Sequence, residues 1–170
     1  MKRIRYIPPL VAALAAIVVE ALPFSMSCHW KPEKDVVISE TYSYFNMNTV
    51  FKNGVYGPYV TSMLTIALIL YIIVLAAKKE PNYKQHHTMV AFGVLGFIAS
   101  LTPLLLGSEW FSVYSIIISA LLLTATVMLH RMSYDVQAAE EALKKERERK
   151  ERQARKARQQ AASNGGEKKR

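Results

Sequence analysis

The chain has 170 residues, 51% of them hydrophobic, with 22 Lys and Arg against 13 Asp and Glu and a formal net charge of +9. A mean hydropathy of +0.10 would suit a soluble domain, but the charges are segregated along the chain, which argues against an ordinary water-soluble fold. A single cysteine rules out an internal disulfide framework. The sequence has no Walker loop, dinucleotide fingerprint, HExxH pair or nucleophile elbow, so it assigns no catalytic residue and no cofactor.

Residues 7–24 form the first apolar run, behind a basic start of Lys2, Arg3 and Arg5. The basic head and apolar core resemble a secretory signal. Glu20, Pro23 and Phe24, however, stand where small cleavage-site residues belong, and the run is read as a retained span. Residues 58–77, 88–106 and 111–129 are three further runs, and Glu20 is the one formally charged residue in all four. At 18 to 20 residues each, and 1.5 Å of rise per residue, they match the roughly 30 Å of bilayer hydrocarbon. Lipid offers no partner for free backbone groups, so the spans should be helices.

Residues 25–57 form the longest connection. Within residues 35–59, "DVVISETYSYFNMNTVFKNGVYGPY", β-branched and aromatic residues are punctuated by Asn46, Asn48, Asn53-Gly54 and Gly57-Pro58, the pattern of short strands joined by turns. On such a strand Tyr42 and Tyr44 face one way and Ser43 and Phe45 the other. The connection is expected to pack on its own bundle rather than present a surface to an outside partner.

Pro81 prevents one helix from crossing residues 78–87, and residues 107–110 are short enough to make the last two spans antiparallel neighbours. Small residues mark where helices approach: Ala12 and Ala16, Gly96 and Ser100, Ser115 and Ser119. Pro103 interrupts the end of the third span.

Positive charge near the spans sets topology. With the N-terminus in the cytoplasm, the inside receives Lys2, Arg3, Arg5, Lys78, Lys79, Lys84, Arg131 and the tail. The outside receives Lys31, Lys34 and Lys52, balanced by Glu33, Asp35 and Glu40. Both termini are therefore expected in the cytoplasm, with the chain multi-pass in its membrane. Trp30, Tyr56, Tyr59, Trp110 and Tyr114 then gather at the outer boundary, as an interfacial aromatic belt would.

From Ser133 the composition becomes that of a charged helix, with Glu four residues before Lys or Arg at Glu140–Lys144, Glu141–Lys145, Glu146–Lys150, Glu148–Arg152 and Glu151–Arg155. It should stop at Ser163-Asn164-Gly165-Gly166 and leave residues 163–170 disordered. The heptad series Val136, Leu143, Lys150, Ala157 gives little for self-pairing. Lys144, Lys145, Arg147, Arg149, Lys150, Arg152, Arg155, Lys156 and Arg158 stand against three Glu over about 22 Å of helix. Anionic headgroups should attract each by about 1 kcal/mol near the surface. The candidate partners are thus membrane lipid and a cytoplasmic protein; no aromatic or recognition motif for nucleic acid accompanies the charge.

Glu20 is the candidate intramembrane polar site, because ionisable residues in spans are costly and tend to be functional or paired. It lies about 6 Å from the outer edge of its run by helix rise, so it reaches either the headgroups, a structural hydrogen bond, or a proton, cation or substrate site. Cys28 with His29, and His86 with His87 and His130, have metal-ligating chemistry, but the two groups fall on opposite sides of the membrane and neither closes a site. No metal is assigned.

The segments "EALPF" closing the first run, "YSYF" in the long connection and "YGPY" opening the second run resemble a group of small, uncharacterised bacterial four-span proteins, over about residues 1–131. The resemblance implies a four-helix membrane bundle with a structured first outer loop, and no activity or catalytic residue. The layout also resembles the claudin arrangement, but the W-GLW-C-C pattern is absent and claudin function is not implied.

The expected fold is an all-α membrane protein: a four-transmembrane-helix bundle over residues 1–131 with a small β-containing first outer loop, then a long basic cytoplasmic C-terminal helix over 132–162. With that resemblance, the expected role is a non-enzymatic scaffold or interaction protein of a bacterial inner membrane, whose basic helix binds the anionic inner leaflet or a cytoplasmic partner. The alternative is a small transporter or channel subunit with Glu20 in an outward-facing polar cavity. The sequence is silent on oligomeric state.

Overall fold

In a computed structural model the chain is described at residues 2–33, 36–46, 56–78, 82–105 and 112–167. A tight 3-10 turn, Lys2–Tyr6, leads into helix α1, Ile7–Ala21, which opens on Pro8 and Pro9, where the missing N–H groups cost nothing. Leu22, held extended ahead of Pro23, ends it, so the helix stops three residues before the apolar run does. Two antiparallel strands follow, β1 (Met26–Glu33) and β2 (Val36–Tyr42), paired from Met26 with Tyr42 to Glu33 with Val36. The ladder is irregular between Trp30 and Glu33, where Pro32 has no N–H to donate.

The hairpin thus begins directly after α1, earlier than the β-rich middle of the connection suggests. The strand also ends at Tyr42, so the expected alternation fails. Tyr44 sits in a turn and is fully buried, while Tyr42 is half-buried and donates its hydroxyl to Glu40. Residues 47–55, including Asn48 and Asn53-Gly54, lie outside the described residues.

Helix α2 spans Gly57–Ala77, with Pro58 in its first turn. Helix α3, Tyr83–Ser100, starts ahead of the apolar run because the Asn82 side chain accepts from the Gln85 N–H at 3.0 Å and caps it. A short helix α4, Thr102–Leu105, resumes after a break at Leu101. Pro103 lacks the N–H that would bond Ala99 O, and the Thr102 hydroxyl donates to that carbonyl at 2.6 Å instead. Helix α5 runs Val113–Glu167, so its helical backbone continues through the Ser163–Gly166 stretch where the sequence places its end and stops one residue beyond it. Trp110 lies outside the described residues.

Four helices are long and apolar enough to cross a membrane: Ile4–Ala21, Gly57–Ala77, Tyr83–Leu105 and Val113–Lys156. Their outward faces are apolar, with Val11 and Val18 on α1, Leu70 and Val74 on α2, Leu95 and Ile98 on α3, and Ile116 and Leu123 on α5 all exposed. Buried positions between them include Thr61, Thr65, Ser100, Ser115 and Glu20, a distribution opposite to that of a water-soluble bundle. The chain is a multi-pass membrane protein by this architecture.

Two compact units divide the chain at Ser133 and Tyr134. Within the first, α3 and α5 run antiparallel, since Ser100 meets Ser119 and Gly93 meets Thr126. One apolar cluster joins Ala13, Leu68, Ile72, Leu75, Met89 and Leu129 towards the end where Tyr6 bonds His86. A second, of Ala16, Met26, Tyr44, Ile118 and Leu122, seats the hairpin on the helices at the other end. The second unit, Tyr134–Arg170, is helical through Glu167, and its side chains from Ala138 to Lys156 are all exposed.

Candidate functional site

The buried face of α2 changes character along its length. Pro58, Thr61, Ser62 and Thr65 are buried near its start, and Leu68, Ile69, Ile72 and Leu75 further on. The spacing of Thr61, Thr65, Leu68, Ile72 and Leu75 is the four-and-three repeat of one helical stripe, so polar and apolar residues share a face and differ in depth. The polar part of that stripe lies at the hairpin end of the bundle. Glu20, next to last in α1, meets it there.

The Glu20 side chain is fully buried. Its Oε1 accepts from Thr65 Oγ1 at 2.8 Å. The same hydroxyl stands 2.9 Å from Thr61 O, and one proton serves one acceptor at a time. An ionised Glu20 takes the Thr65 proton; a protonated Glu20 donates to Thr65 Oγ1 while Thr65 donates to Thr61 O. One arrangement of heavy atoms therefore suits both charge states. The second carboxyl oxygen, Oε2, has no hydrogen-bond partner among the described residues.

The connection is tied to the end of α1 through the main-chain carbonyl of Glu20. Tyr44 N–H donates to Glu20 O at 2.9 Å, and the Ser25 hydroxyl stands 3.2 Å from both Glu20 O and Tyr42 O. The Tyr44 ring is fully buried and its hydroxyl, like Glu20 Oε2, has no hydrogen-bond partner among the described residues. Burial pushes this phenol up to about 12; the nearby Ser115 hydroxyl opposes the rise and the charge of Glu20 adds to it. Ser115 itself is directed to Ser25 O at 3.4 Å, which leaves its approach to the phenol short of a hydrogen bond. A chain of hydroxyls continues inward: Ser119 Oγ donates to Ser115 O at 2.9 Å and lies 2.8 Å from Ser100 Oγ.

At the opposite end His86 is buried and held at both ring nitrogens. Its Nδ1 faces Asn82 O at 3.1 Å, and a carbonyl only accepts, so Nδ1 carries the proton and Nε2 accepts from Tyr6 O–H at 2.8 Å. Both nitrogens are thus engaged within the bundle. His87 is exposed and lies against Tyr83, and the side chains of Cys28 and His29 lie outside the described residues.

Glu20 therefore turns into the bundle, with Thr65 as its partner. Thr102 is directed to Ala99 and Ser119 to Ser100 and Ser115, away from the carboxyl. Tyr44 and Ser25 escape a reading of the sequence, because both belong to a connection whose turns place them. Phe24 against Tyr114, with ring centroids 5.0 Å apart, and exposed Tyr56 surround the same end as aromatic neighbours. In the second unit Lys144, Lys145, Arg147, Arg149, Lys150, Arg152, Arg155 and Lys156 are exposed, with Glu146 bridging to Lys150 at 2.7 Å. The side chain of Arg158 lies outside the described residues.

Comparison with known proteins finds no matching family, no matching curated protein and no matching solved structure.

Proposed function

We propose that this chain is a small transporter or channel subunit of the bacterial inner membrane, working through a polar site at Glu20. The observation that carries this reading is the fully buried carboxyl, hydrogen-bonded on one oxygen to Thr65 and without a partner among the described residues on the other. A carboxyl that served only the membrane rim would turn to the headgroups, at little cost from so near a helix end. The resemblance to small four-span proteins agrees with the bundle and adds no activity. The inner part of the core, from Leu68 to Leu75 on α2, is apolar, so the site belongs to the hairpin end.

Orientation follows from charge. Exposed Arg5, Lys78, Lys84 and Arg131 belong to the end opposite the hairpin, which is the cytoplasmic end under the positive-inside rule. The hairpin and Glu20 then face the cell exterior, with both termini inside.

The test is flux. The purified chain is reconstituted into vesicles and an imposed proton or alkali-cation gradient is followed with and without Glu20→Gln, which preserves size and an acceptor for Thr65. Dissipation by the parent chain, falling to the protein-free rate in Glu20→Gln, is the expected result; equal rates in the two proteins would overturn the reading.

A second reading rests on a separate observation, the fully exposed basic stretch of α5 from Lys144 to Lys156. It makes the tail an electrostatic contact for anionic lipid or a cytoplasmic protein, and it coexists with a site in the bundle.

A further inference from the structure

Two oxygens at the hairpin end have no hydrogen-bond partner among the described residues, Glu20 Oε2 and Tyr44 Oη, and both belong to fully buried residues. Orphaned buried polar atoms are rare in folded proteins and point to a bound water, an ion or a catalytic role. These two are brought together from different parts of the chain. Tyr44 N–H bonds Glu20 O directly, and the charge on Glu20 is felt at the phenol. No bond joins Oε2 to Oη, so neither satisfies the other.

The chemistry around them is narrow. The polar groups found there among the described residues are oxygens, namely the Glu20 carboxyl, the phenol of Tyr44, the hydroxyls of Thr65 and Ser115, and the carbonyl of Ser25, while Ala16, Met26, Ile118 and Leu122 pack around the phenol ring. Oxygen donors suit hard cations, and among the described side chains neither thiolate nor imidazole takes part. One carboxylate supplies one negative charge, and no basic side chain pairs with it among the described residues. A divalent ion would bring an uncompensated charge into the membrane interior, and no group of three His, Cys, Asp or Glu is present among the described residues to balance it. A monovalent ion closes the charge and occupies both orphaned oxygens.

We propose that Glu20 Oε2 and Tyr44 Oη are ligands of a monovalent alkali cation, held where α1 and the turn after β2 meet and enclosed by the hairpin. The proposal deepens the transport reading and rests on it for the site. Thr65 fixes the carboxyl through Oε1 and leaves Oε2 for the ion. Tyr44 belongs to the element that covers the site, so binding couples the hairpin's seating to occupancy.

The test uses the purified full chain in detergent, with thermal unfolding followed as NaCl or KCl is raised against N-methylglucamine chloride at matched ionic strength. A ligand that binds only the folded chain raises the midpoint saturably with its concentration. The expected result is a saturable rise with sodium or potassium, absent with the organic cation and lost in Glu20→Gln. In Tyr44→Phe the half-saturating concentration should rise about tenfold, the effect of one lost polar contact. Because Tyr44→Phe removes an atom with no protein partner, it keeps the test sound if Glu20→Gln folds poorly. Equal stabilisation by all three salts, or an unchanged response in Tyr44→Phe, would overturn the proposal. Proton flux that depends on Glu20, with no alkali-specific stabilisation, would also overturn it while leaving the transport reading standing. Alkali-specific stabilisation without flux would do the reverse.

Discussion

Tyr44 is the residue whose chemistry is most altered by its position. Its phenol titrates at about 12 rather than the ordinary 10, chiefly because burial disfavours the anion. Between those values the folded chain keeps a proton that the unfolded chain has lost. The stabilisation from this group is therefore complete below about pH 10 and is lost as pH rises towards about 12. In an ultraviolet titration of the phenolate band, Tyr44→Phe should lack a late step near pH 12 that the parent shows. Superimposable curves would mean that Tyr44 is not buried. Glu20 and Thr65 illustrate a different dependence. Each is visible in the sequence as a polar residue in an apolar run, and Glu20 lies near enough to its helix end to reach water. What turns it inward is a partner 45 positions away.

Among the elements, α2 shows best why some faces are legible and others hidden. It is apolar nearly all round, so no polar outer side distinguishes lipid from core, and its inner stripe is betrayed only by Thr61, Ser62 and Thr65. The small residues on the other helices are more informative. Ala16, Ser100, Ser115 and Ser119 are all buried, as their size predicts for close helix contacts. Glycines set the tightest approaches. A Cβ on Gly57 would collide with Thr102 Cβ, and one on Gly93 would stand 2.6 Å from Thr126 Oγ1 but 3.3 Å from Thr126 Cβ. Gly57→Ala and Gly93→Ala should each destabilise the bundle by about 1–3 kcal/mol in denaturant unfolding in detergent. Gly96→Ala, with Leu64 Cβ at 3.7 Å, should be near neutral. The double variant Gly93→Ala with Thr126→Ala should recover most of the loss, since it removes the hydroxyl that the new methyl meets. A rescue of Gly57→Ala by Thr102→Ala is not expected, because that change keeps the Cβ that collides. The hairpin was legible in kind and misplaced in register: β-branched residues mark strands, but pairing partners are chosen by where α1 ends, and that end is set by Leu22 and Pro23.

For the whole molecule, the basic helix gives a prediction independent of the bundle. A peptide of residues 134–170 should bind vesicles rich in anionic lipid and be released as salt is raised, because screening over about 8 Å at physiological ionic strength weakens surface attraction. Equal binding to neutral vesicles would remove the electrostatic account. That expectation needs only composition, since solvated charges act without a defined fold. The spans are read the same way: a bilayer imposes length and apolarity on each segment separately, so residues 58–77 and the helix Gly57–Ala77 nearly coincide. Tertiary structure was needed for everything that depends on rotation about a helix axis or on a meeting of distant segments. It turned Glu20 towards Thr65, seated Tyr44 beneath the hairpin and engaged both nitrogens of His86. Lipid constrains a helix along its length and hardly at all around its axis; packing against other helices supplies that second constraint, and with it the candidate site.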